Sequence, residues 1–171
     1  MSLLPACPPA PAPIRALTAM VDWSIVAIGA TMIALVFFNV VVHIFGRDMA
    51  WTIELCELLM VWVTFLGGAA AARRGMHMAI TEFVDKLSGD ARRAADGAIQ
   101  LVCAAVLVLL VKYGWGIVQS SWGNTLTVLD VPMALQYLAL PVGAGAMLVF
   151  VLHDFVQTAR GKTRAERYGA H

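Results

Sequence analysis

Charged residues are scarce in this 171-residue sequence. Asp, Glu, Lys and Arg make up 13% of the chain, about half the share of an ordinary soluble domain. Hydrophobic residues make up 60%, and the mean hydropathy is +0.78. The formal net charge of +1 gives no general attraction to nucleic acid, which is therefore not expected as a partner. This composition argues against a soluble globular domain and indicates a membrane protein.

Cysteine is also scarce. Cys7, Cys56 and Cys103 lie far apart and form no CxxC pair. This spacing argues against thiol-disulfide chemistry and against a zinc site. We expect Cys56 and Cys103 to serve as ordinary apolar packing residues.

Long apolar runs are what the sequence does contain, at residues 21–45, 53–72, 98–118 and 133–155. A helix of about 20 residues spans the hydrocarbon core of a bilayer. Four buried helices of a soluble protein are the alternative, but such helices need a polar face, which these runs lack. The sequence therefore predicts an all-α integral membrane protein with four transmembrane helices.

The basic residues predict the orientation of these helices. Of the 12 Lys and Arg residues, one precedes the first run, five lie between the second and third, and four follow the last. Arg47 alone lies in the opposite loops, and Lys112 falls inside the third run. Because basic loops stay cytoplasmic, we expect both termini to be inside. The predicted organisation is a flexible Pro/Ala-rich lead-in (1–20), a four-helix transmembrane domain (21–157) and a basic tail (158–171).

The segment between the second and third runs alternates apolar and charged residues over 78–87. This spacing predicts a short amphipathic helix lying along the inner interface, in contact with phospholipids. A solvated loop is the alternative.

Several polar residues inside the runs fall near the predicted outer ends of the spans. Because an ionisable group within the bilayer needs a partner or an exit to water, we predict an intramembrane cluster in which Lys112 pairs with Glu57 or Glu54. The remaining predicted members are Asn39, His43 and Gln136. The alternative is that Lys112 snorkels outward while both glutamates sit in interfacial water.

Small residues and a proline predict how the helices pack. Gly67 and Gly68 begin overlapping small-xxx-small patterns in the second run, which allow close helix contact. Pro141 falls within the fourth run and predicts a bend between Leu138 and Pro141. Trp62 lies at mid-depth, where it faces either protein or lipid.

The run "WTIELCELLMVWVTFLGGAAAARRGMHMAITEFVDKL" resembles the second span and following loop of the small membrane subunit (DctQ-like small permease) of TRAP transporters, the tripartite ATP-independent periplasmic carriers. The fourth run adds a similar "VPMALQYLALPVGAGAMLVF". The sequence departs from the family pattern at one point. The family pattern has an aspartate shortly after the histidine, whereas the first acidic residue after His77 is Glu82. The residues that carry the resemblance are Glu54, Glu57, Trp62, Gly67, Arg73, Arg74, Gly75, His77, Pro132, Leu140, Pro141 and Gly143.

The resemblance implies a subunit of a sodium-driven secondary transporter in the bacterial inner membrane. Its implied partners are a large, elevator-type membrane subunit that carries the transport sites and a periplasmic binding protein that delivers organic acids at the outer loops. The small subunit would be a scaffold with no catalytic residues, no cofactor and no metal. In this scheme His77 is a loop-fixing residue at the inner interface.

Two other functions remain open at this stage. A membrane anchor of a redox complex would hold haem or quinone between the helices. However, His43 and His77 fall at opposite ends of the predicted spans and cannot share one iron. A stand-alone exporter would use Glu54 or Glu57 as a proton-coupled site.

Overall fold

The computed structural model describes residues 12–47, 49–73 and 90–159. These residues are helical apart from short loops and form no β-strand. The four long apolar segments, with the last one divided into α4 and α5, are each long enough to cross a membrane, which confirms the predicted fold. The helices are α1 (Ala12–Ile44), α2 (Ala50–Arg73), α3 (Asp90–Ser120), α4 (Ala134–Tyr137) and α5 (Ala139–Ala159).

The first helix begins earlier than the sequence analysis predicts. Residues 12–20 belong to α1, although they were assigned to a flexible lead-in. Pro13 is the second residue of this helix, and a proline in the first turn lacks only an amide hydrogen that would have no partner there. The other predicted terminal and interfacial segments, 1–11, 78–87 and 160–171, lie outside the described residues.

A glycine ends α1. Gly46 has a φ of 72°, its amide bonds to the His43 carbonyl at 2.9 Å, and the Arg47 amide bonds to the Val42 carbonyl at 3.4 Å. This pair of bonds is a Schellman motif, which needs a left-handed residue that glycine adopts without strain. The chain therefore turns tightly into α2, which begins at Ala50.

The long helices pack in the order α1, α2, α5, α3. One side of α2 packs on α1 and another on α5, while α5 also packs on α3. Two apolar cores result, one between α1 and α2 and one between α3 and α5. Their buried residues are Val21, Leu66 and Ala70 in the first core and Leu107, Ala144 and Val151 in the second.

The flanking helix α1 keeps much of its apolar surface exposed. Trp23, Ile33 and Phe37 are 73%, 74% and 71% exposed. Such a surface is compatible with lipid or with another membrane protein but not with water. The chain is therefore a multi-pass membrane protein whose packed interior is small.

Leu138 separates α4 from α5, but its backbone is helical, with φ −61° and ψ −26°, and Ala134–Thr158 forms one span. The bend expected between Leu138 and Pro141 stays a prediction. Pro141 has no amide hydrogen to donate to the preceding turn, and its ring is buried. A Cβ placed on Gly114 of α3 would lie 3.3 Å from Pro141 Cδ, so the proline packs closely on that helix.

Candidate functional site

Glu54 connects α2 to the loop between α3 and α4. Its carboxylate accepts hydrogen bonds from the Val128 amide at 3.0 and 3.1 Å and from the Leu129 amide at 2.9 Å. Backbone amides that converge on a carboxylate form strong, charge-assisted hydrogen bonds. These bonds fix the position of the Glu54 side chain and attach the loop to α2.

The loop itself has a defined shape, which its backbone bonds maintain. Leu126 donates to the Val131 carbonyl at 2.8 Å, Asp130 donates to the Leu126 carbonyl at 3.2 Å, and Met133 donates to the Asn124 carbonyl at 2.8 Å. Asp130 has a φ of 52°, a left-handed conformation that Asp tolerates better than most residues. We call residues 124–131 the outer loop, after its predicted side of the membrane.

Trp62 makes a second contact between α2 and the segment that follows this loop. Its indole nitrogen donates to the Leu135 carbonyl in α4 at 3.1 Å. Trp62 also packs against the core between α1 and α2. Since Glu54 and Trp62 are eight residues apart, they lie on one side of α2, and together they hold the α3–α4 connection at two points.

The predicted polar cluster is not found in the described part of the chain. Asn39 and Gln136 are half-buried, while His43, Glu57 and Lys112 are exposed, and no hydrogen bond or ion pair joins any two of them. Lys112 likewise makes no ion pair with Glu54. The pairing was predicted without knowledge of the helix order. Lys112 lies on α3, whereas both glutamates lie on α2, and α5 packs between these two helices.

The ion pair that the described residues do contain lies at the opposite end of the helices. Arg73 Nη2 is 3.0 Å from Oδ2 and 3.2 Å from Oδ1 of Asp22. The two side chains are 26% and 41% exposed, as expected near the end of a membrane span. This pair joins α1 to α2. Arg73 was identified from the sequence and Asp22 was not, although an acid inside an apolar run is itself a signal for a partner.

A second contact at that end joins α3 to α5. Gln100 donates to Asp154 Oδ2 at 2.6 Å and to Thr158 Oγ1 at 3.2 Å. The Thr158 hydroxyl also donates to the Asp154 carbonyl at 3.0 Å. These residues were not singled out from the sequence. Asp154 was the available signal, because it is the acidic residue of the fourth apolar run.

Glycines set the distance between α2 and α5. A Cβ on Gly143 would lie 2.6 Å from Phe65 Cβ and 3.1 Å from the Phe65 backbone, so this position has no room for a side chain. Gly68 faces the flexible end of Met147, whereas Gly67 and Gly145 face open space. Gly143 and Gly68 therefore both lie at the α2–α5 contact, where only Gly143 faces backbone atoms, whereas Gly67 lies away from it.

Three predicted residues, Arg74, Gly75 and His77, lie outside the described residues. Cys56 and Cys103 are free and half-buried. Within the described ranges, no three His, Cys, Asp or Glu side chains come close enough to hold a metal ion. The side-chain bonds of Glu54, Trp62, Arg73 and Gln100 join helices to each other and to the outer loop.

Comparison with known proteins identifies relatives of one kind. Residues 14–161 match the family described as "Tripartite ATP-independent periplasmic transporters, DctQ component". The "C4-dicarboxylate TRAP transporter small permease protein DctQ" of Rhodobacter capsulatus is 30% identical over 130 residues, which cover 74% of this chain and 55% of the relative. The chain thus spans little more than half the length of that relative.

Two further relatives carry similar names. The "Putative TRAP transporter small permease protein" of Haemophilus influenzae is 27% identical over 74% of this chain and 79% of its own length. The "Ectoine TRAP transporter small permease protein TeaB" of Halomonas elongata is 29% identical over 70% of this chain and 64% of its own length. The relatives from Rhodobacter capsulatus and Halomonas elongata are named for different substrates, C4-dicarboxylate and ectoine.

Proposed function

This chain belongs to the DctQ component family of tripartite ATP-independent periplasmic transporters, and from that membership we propose that it is the small, accessory membrane subunit of such a transporter. Its partners are a large membrane subunit, which carries the substrate and ion sites, and a periplasmic binding protein. The match over residues 14–161 is the observation that carries this proposal, because it covers all four spans.

A scaffold role fits the way the described residues use their polar groups. Glu54 bonds to the outer loop, Arg73 to Asp22, and Gln100 to Asp154. Each of these contacts joins one part of the chain to another. An ion or substrate site would instead direct several such groups toward a shared cavity. We therefore propose no catalysis and no transport by this chain alone.

The remaining details of the proposal follow from the family resemblance and the charge pattern. The complex lies in the bacterial inner membrane, with both termini of this chain in the cytoplasm and the basic segments near phospholipids. Transport is driven by a sodium gradient, and the cargo is an organic acid. The exposed apolar surface of the helices offers area on which the large subunit docks.

A deletion experiment in cells tests this proposal. The ligand of the binding protein is first identified by the rise in melting temperature that candidate organic acids cause. Uptake of that labelled ligand is then measured in cells that lack only this chain. We expect sodium-dependent uptake to be lost on deletion and restored by the intact chain. Normal uptake in the deleted strain would contradict the proposal.

A further inference from the structure

Lys112 is a cation on the side of α3 that the rest of the described chain leaves uncovered. On the packed side of α3, Leu107 contacts Ala144 of α5 and Gly114 faces Pro141. Lys112 lies about 140–160° around the helix from those two residues, and its side chain is exposed. Because α3 is a flank of the helix row, this side faces out of the bundle, and no described side chain pairs with the amine.

The depth of Lys112 follows from its distance to the two ends of α3. Toward the inner end, Gln100 bonds to Asp154, and the rise along the helix from Gln100 to Lys112 is about 18 Å. Toward the outer end, α3 stops at Ser120, about 12 Å beyond Lys112. These two distances together match the hydrocarbon core of a bilayer, which is about 30 Å thick. Lys112 therefore lies close to the middle of the membrane.

Lipid alone is a poor environment for this side chain. An ionised amine near the bilayer centre is costly unless it reaches water or finds a partner. The four-carbon stem of a lysine covers roughly half of the distance from Lys112 to the end of α3. The exposed neighbours Val108 and Leu109 offer no side-chain hydrogen-bond acceptor. The amine thus needs a partner that the described part of this chain does not supply.

We propose that this face of α3 packs against a transmembrane helix of another protein, and that Lys112 pairs there with an Asp or Glu carboxylate near the bilayer centre. A carboxylate is the side chain that matches the charge of the amine. Gly116, one turn along the same face, is exposed, and a Cβ placed on it would meet no atom within 4 Å, so a helix has room to approach closely. The inference rests on the function proposed above, in which the large subunit is the membrane partner.

A second copy of this chain fits the face less well. Phe65 of α2 lies against Gly143 of α5, and Gly114 of α3 faces the proline two residues before Gly143, so Lys112 is level with Phe65. Glu57, an exposed acid of α2, lies about 12 Å farther toward the outer end. A two-fold pair through the α3 face would instead bring two Lys112 side chains together, and like charges repel.

Carbodiimide coupling tests the ion pair in the purified complex of this chain and its large subunit. Dicyclohexylcarbodiimide enters the hydrocarbon region and joins an amine to a carboxylate that it contacts, with loss of one water. We expect an amide bond between Lys112 and an Asp or Glu in a transmembrane segment of the large subunit, identified by mass spectrometry of the joined peptides. Lys112→Arg should give no joined peptide, because its guanidinium is not deprotonated, although the complex stays assembled.

The dissociation constant of the complex in detergent tests what the pair contributes to assembly. We expect Lys112→Met to raise Kd about 30-fold or more, as for the loss of one partner from a buried charge pair. Lys112→Arg keeps the charge and should stay within about threefold of the wild type. Arg47→Met is the matched control, since Arg47 is an exposed basic residue in the α1–α2 turn, away from the α3 face, and should leave Kd unchanged.

The remaining outcomes separate this inference from the proposed function. If the complex assembles but Lys112 gives no joined peptide, or if Lys112→Met leaves Kd unchanged, the ion pair is wrong and the accessory-subunit proposal stands. Coupling of Lys112 to a second copy of this chain would also overturn the inference, as would an effect of Lys112→Met confined to the dependence on anionic lipid. If this chain and the large subunit form no complex, the proposed function fails and the inference fails with it.

Discussion

Arg73 of α2 and Asp22 of α1 are 51 residues apart in the sequence, and Arg73 Nη2 lies 3.0 Å from Asp22 Oδ2. The pair closes the end of the α1–α2 hairpin opposite the outer loop. Because both side chains are partly exposed, water and salt weaken their attraction. Their contribution is therefore modest, and it is measurable only as a coupling between the two residues.

A double-mutant cycle tests this pair. Asp22→Asn, Arg73→Gln and the double variant are compared by thermal unfolding in detergent. We expect the two single substitutions to be non-additive, with a coupling free energy of about 0.5–1 kcal/mol. Purely additive effects would show that the pair contributes nothing to stability.

The contact at Gly143 leads to a second prediction. Gly143→Ala would place a methyl group against the Phe65 backbone of α2, which can yield only if the two helices separate. Overpacking of this kind typically destabilises a protein by about 1–3 kcal/mol. Gly145→Ala is the matched control, because the same change in the same helix meets no atom within 4 Å. Unfolding midpoints that fall equally for both variants would refute the close contact.

The Trp62 indole supports a third prediction. Trp62→Phe keeps an aromatic ring on α2 but removes the donor to the Leu135 carbonyl. We expect a loss of about 1 kcal/mol in unfolding free energy, the usual effect of one hydrogen bond. Trp23→Phe is the control, since Trp23 is 73% exposed and should tolerate the change. Equal stability of the Trp62→Phe variant and the wild type would rule out a significant bond.

The orientation predicted from basic residues needs its own measurement. With the native cysteines replaced by alanine, Asn124→Cys and Ala12→Cys each place a single thiol at an exposed position near one end of the helices. A membrane-impermeant maleimide should label Asn124→Cys in intact cells and Ala12→Cys only after lysis. The reverse pattern would invert the topology.

The sequence predicted the four spans because hydrophobic length is a local property that needs no knowledge of neighbours. It also identified Glu54, Trp62 and Arg73 as residues with specific roles. The partners of Trp62 and Glu54 were missed because Leu135 and Val128 contribute backbone groups, which carry no side-chain signal. Asp22 was available as a signal and was overlooked.

The wrong expectation for Lys112 has a different cause. Depth in the bilayer was inferred from position along each predicted helix, which placed Lys112 and Glu57 at similar depths. Depth alone does not say which helices are neighbours. The order α1, α2, α5, α3 separates the lysine from both glutamates, and no periodicity within a single helix encodes that order.

Reconstitution tests the accessory-subunit role most directly. The purified chain is incorporated into liposomes alone, with its large subunit, and with both its large subunit and the binding protein, and sodium-driven uptake of the ligand is measured. We expect uptake only when all three proteins are present. Uptake of the ligand by the small chain alone would contradict the accessory-subunit role.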